Sequence, residues 1–344
     1  MRRTILFVAL AALLSGCSLI GSADEDSGRA VVLVTHDSFA ARLALLDEFT
    51  DRTGITIDVR KVGDAGELTN KLVLTTDSPI GDVVYGVDTA FASRALSKNV
   101  LANYRSPEAD NGPQRYAVED DHRLTAVDVG DVCLNIDPAA LAAKGAPEPT
   151  SYEELTDPRY RDLLVVQDPA TSSPGLAFLL GTIAHFGEDG WQTYWKALRD
   201  NGMKVASGWE EAYTQDFSGS SGKGPRPLVV SYASSPAAEV ADDGTPRTKA
   251  VLGTCFRQVE YAGVLSGAPH AEDAKKVLDF LLSAPFQAEV ADQMYVYPAR
   301  EGVELPPAWQ QAAPLPEQAG SLPPKQIADH REQWIDEWRR LVQG

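Results

Sequence analysis

Short valine-rich runs, each followed by a helical pattern, leave this chain little choice beyond an α/β fold. Ala30-Val-Val-Leu-Val-Thr35 is the first run, and Asp37-Ser38 reads as the N-cap of a helical stretch that continues through Phe49 and stops at Gly54. Ile55 to Val59 gives a second strand, Leu68 to Leu74 a second helix, and Asp82-Val-Val-Tyr-Gly86 a third strand. Strands separated by helices argue for a parallel sheet. Ligands in such sheets sit beyond the carboxyl ends of the strands, which here means Thr35 to Ser38, Asp64 and Asp88.

The middle of the chain repeats the theme with Leu163-Leu-Val-Val-Gln167, a helix from Gly175 to Phe186, a strand near Val205 and Pro227-Leu-Val-Val-Ser-Tyr232. Two longer strand-like stretches, Leu124 to Ile136 and Cys255 to Leu265, flank this block and read as crossovers. The expected division is one lobe from residues 30–127 plus 258–344 and a second from 128–257. Residues 303–324 are proline-rich and read as coil over the surface. Trp334, Trp338 and Leu341, at helical spacing, place a closing amphipathic helix over Glu332 to Val342.

The N-terminus reads differently. Arg2 and Arg3 precede an apolar run from Ile5 to Leu14, too short to span a bilayer at roughly 20 residues, and Leu14-Ser-Gly-Cys17 follows. The order is that of an export signal, residues 1–16, and its end resembles the bacterial lipobox, which implies a lipid on Cys17. Residues 17–29 then form a tether. The whole chain carries 31 Lys and Arg against 49 Asp and Glu; cleavage removes two arginines and no acid, so the formal charge goes from −18 to 29 − 49 = −20. That balance counts against phosphate tracking on nucleic acid and favours a cationic ligand. Cys133 and Cys255 are then the two remaining thiols, and in an oxidising compartment they read as one disulfide, with two inert buried thiols as the alternative.

Enzyme signatures are missing. No Gly-x-Ser-x-Gly, His-Glu-x-x-His, Cys-x-x-Cys or Gly-x-Gly-x-x-Gly after a strand is present, and the five histidines lack metal-ligand spacing. Ser218-Gly-Ser-Ser-Gly-Lys-Gly224 fails the spacing of a phosphate loop and reads as flexible. Neither a catalytic group, a metal nor a cofactor is expected.

Two segments carry binding chemistry. Gln167-Asp-Pro-Ala-Thr-Ser-Ser-Pro-Gly175 leaves a strand and opens a helix, so Ser172, Ser173 and the first free N–H groups make either an anion or polar-group site or a plain cap. Ser207-Gly-Trp-Glu-Glu-Ala-Tyr213 puts Trp209 and Tyr213 on one helical face near a strand end. With Tyr232, Tyr295 and Tyr297 they are candidates for an aromatic box that attracts a cation, with Asp37, Asp64 or Asp88 as countercharge.

These motifs, with Thr35-His-Asp-Ser-Phe39, Val230-Ser-Tyr-Ala-Ser-Ser-Pro236 and Gln333-Trp-Ile-Asp-Glu-Trp338, run in the order found in periplasmic thiamine-binding proteins, and the resemblance spans residues 30–340. It implies a two-lobed, type II periplasmic-binding-protein fold that closes on thiamine or its phosphate esters and delivers it to the permease of an ABC importer; the chain is expected to act as a monomer, held at the outer face of the membrane by the lipid on Cys17. Ligand-lining positions carried over by motif are Asp64, Ser172, Trp209, Tyr213 and Tyr232, with His36, Asp37, Ser38, Asp88, Ser173 and Tyr295 as further candidates. Three residues depart from the pattern. His36 stands where Tyr is frequent, Tyr295 near a usual Trp, and Ala238 replaces an aromatic, which leaves either a roomier site or a gap filled by another ring such as Tyr297 or Tyr261. The alternatives are a same-fold receptor for ferric iron, a polyamine or a phosphonate, and a secreted hydrolase using Ser172 or Ser173 with His185.

Overall fold

The computed structural model describes residues 29–221 and 223–344; the export signal, Cys17 and most of the tether lie outside the described residues. Among the described residues nine strands form one continuous sheet: β1 (Arg29–Thr35), β2 (Ile55–Lys61), β3 (Val83–Asp88), β4 (Thr125–Ile136), β5 (Leu164–Gln167), β6 (Lys204–Ala206), β7 (Leu228–Tyr232), β8 (Lys249–Val264) and β9 (Tyr297–Pro298). Their order is β2-β1-β3-β8-β4-β7-β5-β6, with β9 added on β4. The two ends are parallel, as the alternation of strands and helices predicts: β1 pairs β2 and β3, and β5 pairs β6 and β7. The centre is not. β8 runs antiparallel to both β3 and β4, and β4 antiparallel to β7. These two crossovers pair with each other from Thr125↔Ala262 to Ile136↔Lys249.

Helices cover the sheet: α1 (Leu43–Thr53), α2 (Ala65–Leu74) and α3 (Ala92–Ser97) in the first lobe, α4 (Pro138–Ala143), α5 (Ser173–Phe186), α6 (Trp191–Asp200) and α7 (Trp209–Glu211) in the second, then α8 (Ala271–Leu282), α9 (Ala284–Met294), α10 (Trp309–Ala312) and α11 (Pro324–Val342). α1 ends where expected, at Gly54 with φ 68° and its N–H on Thr50 O at 2.8 Å. It begins later than expected, with Arg42 at the cap. Asp37 is not a helix cap because it ties two loops together: its N–H donates to Gly63 O at 2.9 Å and its Oδ1 accepts from Gly63 N at 2.9 Å.

α5 is buried from Ser173 through Ile183, so it passes through the second-lobe core instead of lying on its surface. α6 buries Trp191, Tyr194, Trp195 and Leu198, one face of the helix. α11, grouped with the first lobe by sequence position, lays Ile327, Trp334, Ile335 and Trp338 into that same second-lobe core, with Trp338 edge-on to Trp195 at 5.4 Å. It also reaches α3, where Arg331 stacks over Phe91 at 5.3 Å. Cys133 of β4 and Cys255 of β8 are joined by a disulfide that staples the two crossovers beside Ala233.

Candidate functional site

The cleft between the lobes closes on one carboxylate. Asp64 caps α2, accepting from Ala65 N at 2.6 Å, and the same Oδ1 accepts from Ser173 N at 3.1 Å across the cleft. Its Oδ2 accepts from Ser172 Oγ at 2.8 Å and Trp209 N at 3.0 Å. Donors at the starts of α2, α5 and α7 therefore converge on it, which is what helix N-termini do with an anion. The donors that open α5 after 167–175 are given to a carboxylate of the chain itself, Asp64. Glu67 N also donates to Thr171 O at 3.2 Å, so the first turn of α2 docks directly on the second lobe.

Behind this latch Ser173 Oγ donates to Asp88, whose other oxygen accepts from Phe91 N at 2.8 Å. Burial raises the Asp88 carboxyl to about 7; the Ser173 and Phe91 bonds oppose the rise, and the charges of Glu260 and Asp64 add to it. Ser172 and Asp88 thus support the site from behind and do not line the cavity.

A cavity of about 250 Å³ lies in the cleft, lined by His36, Asp37, Ser38, Asp64, Ser173, Trp209 and Tyr232 among others. A smaller one of about 70 Å³ shares its His36, Ser38, Trp209 and Tyr232 wall and adds Tyr213, Ala238, Met294, Tyr295 and Val296. Trp209 stacks on Tyr213 at 4.8 Å and 15°, and Tyr232 stands 6.3 Å from Trp209 at 52°. Tyr213 is buried in the core below, so Trp209 presents the outer face of the pair, held by Nε1 donating to Ser231 Oγ at 2.8 Å. Tyr295 sits at the small cavity's edge in a left-handed conformation, φ 54°.

Neither Tyr297 nor Tyr261 replaces the ring missing at Ala238. Tyr297 packs edge-on to Trp309 at 4.9 Å, and Tyr261 donates to Tyr116 O at 3.0 Å, both in the first-lobe core. Met294 and Val296 take that wall instead.

Sequence reading missed Glu260, which lines both cavities from β8 and accepts from Gln258. Its oxygen lies 3.2 Å from His36 Nε2. Burial alone would lower the His36 pKa, but the charge and hydrogen bond of Glu260, with Asp64 and Asp37, outweigh it and raise the value. Glu260 faces Asp128 of β4, which accepts from Tyr85 OH and is driven well above the carboxylate range by burial first and Glu260 second. The available signal was acidic residues within long, largely buried strands, Asp128 and Asp131 in β4 and Glu260 in β8. Bulges aim these groups: the register slips between Ala126 and Asp128 on β4 and between Tyr85 and Val87 on β3. Gly86, in that second bulge, has φ 104°, and a Cβ there would meet His36 Cδ2 at 2.2 Å. Glu67, Glu210 and Glu211 complete an acidic wall that contains no lysine or arginine.

The model of the bacterial extracellular solute-binding protein family matches residues 78–322. The chain belongs to that family. It is accordingly an exported solute-binding protein of type II architecture and not an enzyme. Among its relatives, the thiamine-binding periplasmic protein of Brucella suis biovar 1 (strain 1330) is 27% identical over 316 residues, 90% of each chain. The thiamine-binding periplasmic protein of Escherichia coli (strain K12) is 28% identical over 319 residues, 91% of this chain and 93% of the other. A solved periplasmic thiamin binding protein superposes with a TM-score of 0.81 at 27% identity, covering 91% and 96% of the two chains.

Proposed function

We propose that this solute-binding protein captures thiamine or a phosphate ester of it between its two lobes and delivers it to the permease of an ABC importer. It does so as a monomer, anchored to the outer face of the cell membrane by a lipid on Cys17. The lobes are residues 30–127 plus 258–344 and 128–257, with α11 strapped onto the second. The observation that carries the reading is the cavity itself, where the exposed face of the Trp209–Tyr213 stack and Tyr232 stand opposite a wall of carboxylates. A thiazolium cation with an attached pyrimidine needs these two things: aromatic faces and negative charge. Relatives that cover nine-tenths of the chain and are named for thiamine support the ligand class.

Trp209→Ala tests it. Losing a desolvated stacking face worth roughly 1 to 2 kcal/mol, together with the order it imposes on Tyr232, should weaken thiamine binding at least ~tenfold by titration calorimetry. No heat for thiamine, its monophosphate or its diphosphate with the wild-type protein removes the ligand assignment and leaves the fold. For the anchor, Cys17→Ser should move the protein from the membrane fraction to the soluble one.

A further inference from the structure

The cleft carries a cation of its own, poised on a carboxylate that both cavities share. His36 is buried in the wall of each, with Nε2 3.2 Å from a Glu260 oxygen. Two neighbours fix its ring: Gly86, where a Cβ would meet Cδ2 at 2.2 Å, and Tyr85, at 6.1 Å between ring centres.

The titratable groups around this imidazole are acids and phenols. They are Asp37 on its own loop, Asp64 and Glu67 at the start of α2, Tyr85 and Asp88 on β3, Glu210 and Glu211 on α7, Tyr232 on β7, Glu260 on β8 and Tyr295 after α9. Lys61 on β2 is exposed and donates to Asp37 O at 2.7 Å, and Lys204 is held by Glu211 and Asp216 at 3.2 and 2.7 Å. Burial works against a charge on His36, but Glu260 first, then Asp64 and Asp37, outweigh it, so the ring keeps its proton above the ordinary 6.5.

Asp128 decides where the negative charge lies. It stands directly opposite Glu260 in the β4–β8 ladder, fully buried, with Oδ1 lacking any partner. Burial first, and Glu260 second, drive a proton onto it. The charge of the pair therefore falls to Glu260, the member that reaches the cavity.

We infer that Glu260 is the carboxylate that receives the ligand's ring cation, and that protonated His36 occupies it until the ligand enters, so that ligand and proton compete. This rests on the assignment of a thiamine-type cation to the cavity. The exchange balances: the thiazolium brings one positive charge, the imidazolium N–H bond breaks, its proton leaves to solvent and the charge of the cavity is unchanged. Only the ring cation takes part, so the exchange is the same for thiamine and for its esters. The ligand-bound form holds fewer protons, so affinity falls as pH falls through the His36 titration and is level above it.

The test is calorimetry of the mature chain with thiamine and with deazathiamine, whose neutral thiophene replaces the thiazolium, from about pH 8 down to about pH 5.5. The ratio of the two affinities cancels pH effects on shared groups, and it should fall at least ~tenfold over that range. Thiamine binding at about pH 6, compared in buffers of low and high ionisation heat, should release on the order of one proton. His36→Gln should flatten the ratio and bind thiamine more tightly than wild type at the acid end. A constant wild-type ratio overturns the competition while the ligand class stands, and a slope kept in His36→Gln gives the proton to Asp88 or Asp128 and overturns the role of His36. Where that variant fails to fold, the histidine ring signals of the wild type decide by NMR: one pKa must drop when thiamine is added, and none moving overturns the proposal. Absence of binding by both ligands at every pH removes the ligand reading itself, and this one with it.

Discussion

Asp64→Ala separates what the latch does for closure from what it does for folding. The carboxylate accepts four hydrogen bonds: one, from Ala65 N, lies within the first lobe, and three, from Ser172 Oγ, Ser173 N and Trp209 N, cross the cleft. Bonds to a charged acceptor contribute up to roughly 1.5 to 3 kcal/mol each, but Asp64 is half-buried and water re-enters when the lobes part, so about 1 kcal/mol apiece is the working figure. Closure then loses about 3 kcal/mol, or ~100-fold in the affinity of any ligand that the closed form holds. The lost cap costs the fold about 1 kcal/mol in addition. Asp64→Asn divides the two effects, since asparagine caps α2 through its oxygen while its amide hydrogens oppose Trp209 N. The expected result is a near wild-type thermal midpoint with a large loss of affinity for Asn, and losses in both for Ala. Calorimetry with thiamine and ligand-free melting read the two quantities. Affinities within threefold of wild type in both variants would refute the claim that this carboxylate holds the lobes together.

Three further perturbations follow from the geometry. Gly86→Ala places a side chain at φ 104° and 2.2 Å from the His36 ring, so the fold should lose about 2 kcal/mol and His36 should leave Glu260; an unchanged melting curve would contradict the packing. The Asp88 carboxyl is raised from 3.8 to about 7, so the folded state binds a proton that the unfolded state releases. Its contribution is therefore complete below about pH 4 and lost as pH rises towards 7; the stability of wild type relative to Asp88→Asn should fall through that window and level off above it, and parallel melting curves from pH 4 to 8 would dismiss the linkage. Cys133→Ser with Cys255→Ser opens a closure of 122 residues and should cost about 4 kcal/mol, while mass spectrometry that finds both native thiols alkylated without reductant would remove the disulfide.

The sequence by itself determined what depends on neighbours along the chain. Valine-rich runs specified the strands, Gly54 stopped α1, Pro174 started α5, and the repeat of strand and helix on either side of two long strands carried the two-lobed plan. It also placed Trp209 and Tyr213 on one face, because four residues of helix bring two rings together whatever else the chain does.

Tertiary structure decided the rest. Strand direction at the centre of the sheet follows from which crossover pairs with which, so the antiparallel core of β4 and β8 is invisible to hydrophobic periodicity. The acid that fills the start of α5 comes from 108 residues away, and its bond to Trp209 N spans 145. No local pattern distinguishes a carboxylate that caps its own helix from one that latches two lobes. Glu260 and Asp128 meet only because a bulge shifts one strand by a residue and turns a side chain to the other face. Polar groups in the cleft are assigned by whichever donor closure brings within 3 Å or so, and that choice belongs to the folded chain.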